Sequence, residues 1–187
     1  MVEILSGCKV FCAESFNSRA PGVVRFPESN DAPFVLLDGG LPAPDLLIQA
    51  MKGAPDVVRL GSAADVLRVL ADAIKRADPH ASSVHLFSHG RPGALELSAG
   101  EVSLDTLTRD VHGIATLRRA LAGRSLVLYG CSVGHGIAGR RLVEALSLAL
   151  DAPVFASSTP TGAAARGGDW MFDVAAGAKP GAFPDLV

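Results

Sequence analysis

Short apolar runs recur along this chain, each ending in turn residues and each separated from the next by a longer amphipathic stretch. Phe34-Val35-Leu36-Leu37 ends in Asp38-Gly39-Gly40, and Val57-Val58-Arg59-Leu60 ends in Gly61. Val84-His85-Leu86-Phe87-Ser88 ends in His89-Gly90, and Leu126-Val127-Leu128-Tyr129 ends in Gly130-Cys131. Apolar runs this short, bounded by turn signals, suit strands buried on both faces. Strands of that kind alternating with helices imply βαβ units, a mostly parallel sheet and right-handed crossovers. In such a sheet the working site lies beyond the carboxyl ends of the strands. That rule selects Asp38, His89, Cys131 and the Ser157–Thr161 loop as neighbours of one crevice.

The segments between the runs carry helix signals. A short helix is expected from Pro44 to Met51. Ser62 is a good N-cap, and Asp65 three residues on completes a capping-box-like start. Val66, Leu67, Val69, Leu70, Ala73, Ile74 and Ala77 then share one face, and Asp78-Pro79 ends the helix. A hairpin is expected from Ala94–Leu97 and Glu101–Leu104 across Ser98-Ala99-Gly100. Helical segments follow from about 105 to 121, interrupted near Gly113, and from about 136 to 150. Val154–Ser157 reads as a fifth strand and Trp170–Val174 as a last one. Residues 1–31 read as an N-terminal arm or extension, and residues 32–187 as one α/β domain.

Length and composition bound the rest. At 187 residues with 49% hydrophobic and 19% charged side chains, the chain can bury a full single-domain core. The net charge of -2 and the absence of a basic block give no sign of nucleic-acid binding. No uncharged apolar run is long enough to span a membrane. The segment before Leu5-Ser6-Gly7-Cys8 is too short for the apolar core of a signal peptide, so a cytoplasmic location is expected, or a secreted or surface-associated one if the chain is part of a larger exported protein. Three cysteines, Cys8, Cys12 and Cys131, do not make a disulfide framework, and no His/Cys pair at ligand spacing follows Cys8 and Cys12. No metal and no cofactor are expected.

Two residues carry chemistry. Cys131 follows a buried strand and precedes a helix. Gly130 permits a sharp turn, and a helix N-terminus favours a thiolate. The bland reading is a cysteine packed as a small apolar residue. His89 ends a strand and is followed by Gly90, which lets the backbone come close to a substrate and offers an N–H to an oxyanion. The bland reading here is a histidine that caps a turn. Together they read as a nucleophile and its acid/base partner.

Other readings fare less well. Gly130-Cys131-Ser132-Val133-Gly134 matches the G-x-S-x-G elbow, but that fold needs its histidine well after the serine. The only later histidine, His135, lies three residues on. A metal site from His89, Cys131 and His135 has no sequence-local ligand spacing. No P-loop or G-x-G-x-x-G pattern marks a nucleotide site. His85 reads as structural.

An apolar strand ending in Ser88-His89-Gly90, followed later by one ending in Tyr129-Gly130-Cys131-Ser132, resembles the catalytic layout of clan CD cysteine peptidases. These include caspases, legumains, gingipains, separases and the bacterial CHAT domains. More closely, the chain is similar to a bacterial domain family of unknown function found near the front of large exported adhesins and calcium-binding repeat proteins. The carrying segments are Val84–Gly93, Leu126–Ser132 and Ala156–Trp170, with Thr161-Gly162 and Gly167-Gly168-Asp169-Trp170 as a late signature, over roughly residues 33 to 175. The resemblance implies a three-layer caspase-haemoglobinase-like fold. It implies a His89/Cys131 dyad, with backbone N–H groups of Gly90 and Cys131 as the oxyanion site. The function it implies is a cysteine endopeptidase acting on polypeptides, either on itself or on a partner protein. The alternative is a non-catalytic scaffold serving as a binding or accessory module of a surface or secreted protein. Asp38, Asp169 and Ser157 are the expected substrate-binding residues. The two carboxylates place negative charge near the crevice, which favours a basic residue before the cleaved bond.

Overall fold

A computed structural model describes residues 34–51, 55–77, 80–162, 164 and 167–177. The proposed arm at 1–31, with Cys8 and Cys12, and the Asp78-Pro79 helix stop lie outside the described residues.

Among the described residues six strands form the central sheet: β1 (Phe34–Asp38), β2 (Asp56–Leu60), β3 (Ser83–Phe87), β7 (Ser125–Tyr129), β8 (Val154–Ala156) and β9 (Val174–Ala176). Their order is β2-β1-β3-β7-β8-β9. The first five run parallel, and β9 is antiparallel to β8. All five residues of β1 are buried, as a strand covered on both faces requires.

Alternation along the strands divides the interior in two. Leu36, Leu86, Leu128 and Val154 face one side. There they meet Leu67, Leu70 and Ile74 of α2 (Val66–Ile74), Leu117 and Leu121 of α4 (Val111–Leu121), and Leu142 and Leu146 of α5 (Gly136–Leu150). Val35, Leu37, Phe87, Val127, Tyr129 and Phe155 face the other side, with Leu47 and Ile48 of α1 (Pro44–Ala50) and with Phe172. The result is a three-layer α/β fold with a mostly parallel sheet.

Several boundaries differ from those the sequence suggests. Asp65, not Ser62, caps α2: its carboxylate accepts from Arg68 N at 3.0 Å. The break in the second helical region falls at Asp110, between α3 (Leu104–Arg109) and α4, rather than at Gly113. Asp110 accepts from Gly113 N at 2.8 Å, and a Cβ on Gly113 would stand 2.0 Å from the capping carboxylate. Gly113 therefore makes room for the cap instead of breaking the helix.

The last strand among the described residues is β9, not Trp170–Val174. Phe172 meets Tyr129 edge-on with ring centroids 4.6 Å apart, and Trp170 lies 6.2 Å from the same ring. These aromatics anchor the segment on the second face before the chain turns into β9.

The expected hairpin is the larger part of a three-stranded antiparallel sheet. Its strands are β4 (His89–Arg91), β5 (Ala94–Leu97) and β6 (Gly100–Ser103), in the order β4-β5-β6. His89 thus begins a strand as well as following one. No helix among the described residues is long and apolar enough to cross a membrane.

Candidate active site

β3 and β7 are neighbours and run parallel with Phe87 opposite Tyr129. His89 and Cys131 each lie two residues beyond that pair. The topology therefore brings them to the same carboxyl end of the sheet on adjacent central strands.

Two glycines set how closely these strand ends approach. A Cβ on Gly90 would lie 2.5 Å from Val133 Cγ2 and 3.1 Å from Gly130 Cα. A Cβ on Gly130 would lie 2.7 Å from the same methyl and 3.3 Å from the His89 carbonyl oxygen. Neither contact tolerates a side chain, so both positions are reserved for glycine by packing.

After Gly130 the chain makes a turn over residues 131–134 before α5 begins. His135 occupies the N-cap of that helix. The first turn of α5 thus starts five residues after Cys131, and the direct helix-terminus effect expected at the thiol is displaced along the chain. Ser132 takes a left-handed conformation, φ 56°. The turn is stitched to two other loops. Ser132 N donates to Thr159 O at 2.9 Å, Gly134 N to Ser157 O at 2.8 Å, and Gly93 N to Val133 O at 3.1 Å. Thr161 Oγ1 donates to Gly130 O at 3.4 Å.

Cys131 is 3% exposed, and its Sγ lies 3.5 Å from the Thr161 carbonyl oxygen. It is disulfide-bonded. The other cysteines of the chain are Cys8 and Cys12.

His89 is half-buried, and its carbonyl accepts from Ser88 Oγ at 2.8 Å. Asp38 is 1% exposed. Its carboxylate accepts from Gly40 N at 3.1 Å, Ser98 N at 2.9 Å and Ser98 Oγ at 3.2 Å. Ser157 is also fully buried; its Oγ donates to Thr159 O at 3.1 Å and accepts from Thr159 N at 3.1 Å. Asp38 and Ser157, named from the sequence as substrate-binding residues, are both buried and tie loops together beyond the strand ends.

Asp169 is half-buried. Its carboxylate accepts from Thr159 Oγ1 at 2.8 Å and Met171 N at 3.0 Å, and Thr161 and Asp169 form a parallel bridge. Asp169 therefore sits on the loop system that borders Cys131. Ser98, Val133 and Thr161 complete this end of the sheet. Thr161 carried a sequence signal as part of the late signature, whereas Ser98 read only as a turn residue and Val133 only as a position in the G-x-S-x-G match.

Two further histidines are fixed by neighbours. His135 is exposed, and its Nδ1 stands 3.0 Å from Ser158 O, so that nitrogen carries the donating proton. His85 is buried, with Nε2 2.9 Å from Ser83 Oγ and Nδ1 3.0 Å from Tyr129 Oη. Burial pushes its pKa down to about 3 and raises that of Tyr129, so both stay neutral. Among the described residues no group of three His, Cys, Asp or Glu side chains is placed to hold a metal ion.

Residues 34–184 match the model of a family described as a domain of unknown function, DUF4347, and the chain belongs to that family. No curated protein matches it.

Proposed function

We propose that the domain is a cysteine endopeptidase of the clan CD type. The observation that carries this reading is the register of β3 and β7, with His89 and Cys131 each two residues past the Phe87–Tyr129 pair. In the proposed reaction the reduced Cys131 sulfur attacks a peptide carbonyl carbon, and the carbonyl oxygen becomes an oxyanion beside the Gly90 and Cys131 N–H groups. His89 takes the thiol proton and delivers it to the leaving amine. Water then attacks the thioester, with His89 as base, releasing the carboxylic acid and restoring the thiol. Asp169 is the proposed source of a preference for a basic residue before the cleaved bond. Asp38 and Ser157 enter this proposal as supports of the bordering loops. The test is digestion of a peptide library by reduced protein and by Cys131→Ala. Cleavage by the first alone, after basic residues, is expected; equal cleavage by both would end the proposal, and equal cleavage after acidic and basic residues would remove the role of Asp169.

One observation favours a second reading. A cysteine that is 3% exposed and disulfide-bonded also suits a non-catalytic scaffold, used as a binding or accessory module. A structural disulfide fits an oxidising compartment, as for a surface or secreted protein. Reduced protein that alkylates at Cys131 yet cleaves nothing in the library supports this reading.

A further inference from the structure

Asp38 ends β1, and its buried carboxylate accepts three hydrogen bonds from two turns at one end of the sheet. The cradle around it is tight: a Cβ on Gly40 would lie 2.6 Å from Ser98 Oγ and 2.9 Å from Asp38 Oδ2. A carboxylate withdrawn from water must be held by donors, and this one is held by Ser98, 60 residues away. Ser98 directly follows β5, the middle strand of the small sheet. Gly93 directly precedes β5 and donates to Val133 O in the Cys131 turn. The strand is thus pinned at both ends, once to β1 and once to the turn after β7. Leu95, Leu97 and Val102 of the small sheet are also buried in the main core, and the two pins fix how its strand ends are oriented over the strands beneath. Strand β4 is paired to β5 with His89 opposite Glu96, two residues from Ser98. That separation is only about 7 Å along a strand, so a shift at Ser98 reaches His89 with little attenuation.

We infer that Asp38 is the positioning residue for His89: through Ser98 it fixes the three-stranded sheet across the strand ends and so sets where the imidazole stands relative to Cys131. This inference rests on the proposed role of His89, but it is read on the small sheet itself. The test is hydrogen exchange and histidine ring NMR on the full chain, comparing wild type with Asp38→Ala and Asp38→Asn. For Asp38→Ala, amides of residues 94–103 are expected to exchange roughly tenfold faster or more, while those of β3 and β7 keep wild-type rates. The His89 ring signal is expected to shift or broaden. Asp38→Asn, which keeps an acceptor for Ser98 N, should fall between. If Asp38→Ala does not fold, Asp38→Asn and Ser98→Ala carry the test in the same direction. In a cleavage assay kcat is expected to fall with KM held. Faster exchange spread evenly over the whole sheet, or an unchanged small sheet with an unchanged His89 signal, overturns the inference. A wild type that cleaves nothing, together with Asp38 variants that loosen selectively at residues 94–103, removes the peptidase reading while leaving Asp38 as the residue that places His89.

Discussion

Phe87 and Tyr129 are register partners on neighbouring parallel strands, and their rings stack with centroids 4.0 Å apart and planes 12° from parallel. The pair lies on the second face of the sheet, where Tyr129 also meets Phe172 and bonds to His85. An aromatic pair of this kind adds about 0.5–1.5 kcal/mol beyond burial. It locks the register that sends His89 and Cys131 to the same end of the sheet.

The state of Cys131 leads to the first prediction. Because it is disulfide-bonded, a thiol reagent should label it poorly in untreated protein and well after a reductant. The chain has only two other cysteines, so peptide mapping without reduction should find Cys131 joined to Cys8 or Cys12. Equal labelling before and after reduction would contradict this.

Ser132 beside it separates thiol from hydroxyl chemistry. Cys131→Ala should lower any hydrolysis by on the order of a thousandfold, as when one member of a catalytic unit is lost. Ser132→Ala should leave turnover nearly intact. Ser132→Gly should hold or raise the melting temperature, since its φ of 56° favours glycine. A dead Ser132→Ala with an active Cys131→Ala would move the nucleophile to the serine.

Gly90→Ala is expected to destabilise by about 1–3 kcal/mol, because the new methyl meets Val133 Cγ2 at 2.5 Å. Adding Val133→Ala should restore part of the loss, while the contact with Gly130 backbone at 3.1 Å remains. Thermal denaturation of the single and double variants measures this. Strictly additive losses would mean that the two residues do not collide.

His85 predicts how stability varies with pH. Its folded pKa is pushed from 6.5 down to about 3 by burial. Between those values the unfolded chain binds the proton and the native one does not, so stability falls as pH drops from 6.5 toward 3. The loss is on the order of a few kcal/mol at the acid end. His85→Gln should flatten the dependence of melting temperature on pH across that window, whatever its effect on the absolute value. An unchanged slope would show that His85 titrates normally.

How far the sequence could be read depends on the range of the interactions. The parallel strands are legible because burial on both faces forces continuous apolar runs, as in Phe34–Leu37 and Leu126–Tyr129. Placement of His89 and Cys131 at one end of the sheet follows from those runs, because strand ends in a parallel sheet gather there. Strand β4 is not legible: His89-Gly90-Arg91 is too short to show alternation, and only pairing with β5 makes it a strand. The burial of Asp38 is not legible either, since its main partner is 60 residues away. The α3–α4 break is misplaced because glycine reads as a helix breaker. Here it clears space for the Asp110 cap.

The two outer strands of the described sheet set how neighbouring molecules meet it. Strand β2 carries exposed Asp56 and Arg59, the latter bridged to Asp45, and β9 is only three residues long and reversed in direction. Charge on one border and brevity on the other offer a poor template for strand addition. Copies crowded together, or strung along a larger assembly, thus have little means of zipping edge to edge into fibrils through this sheet.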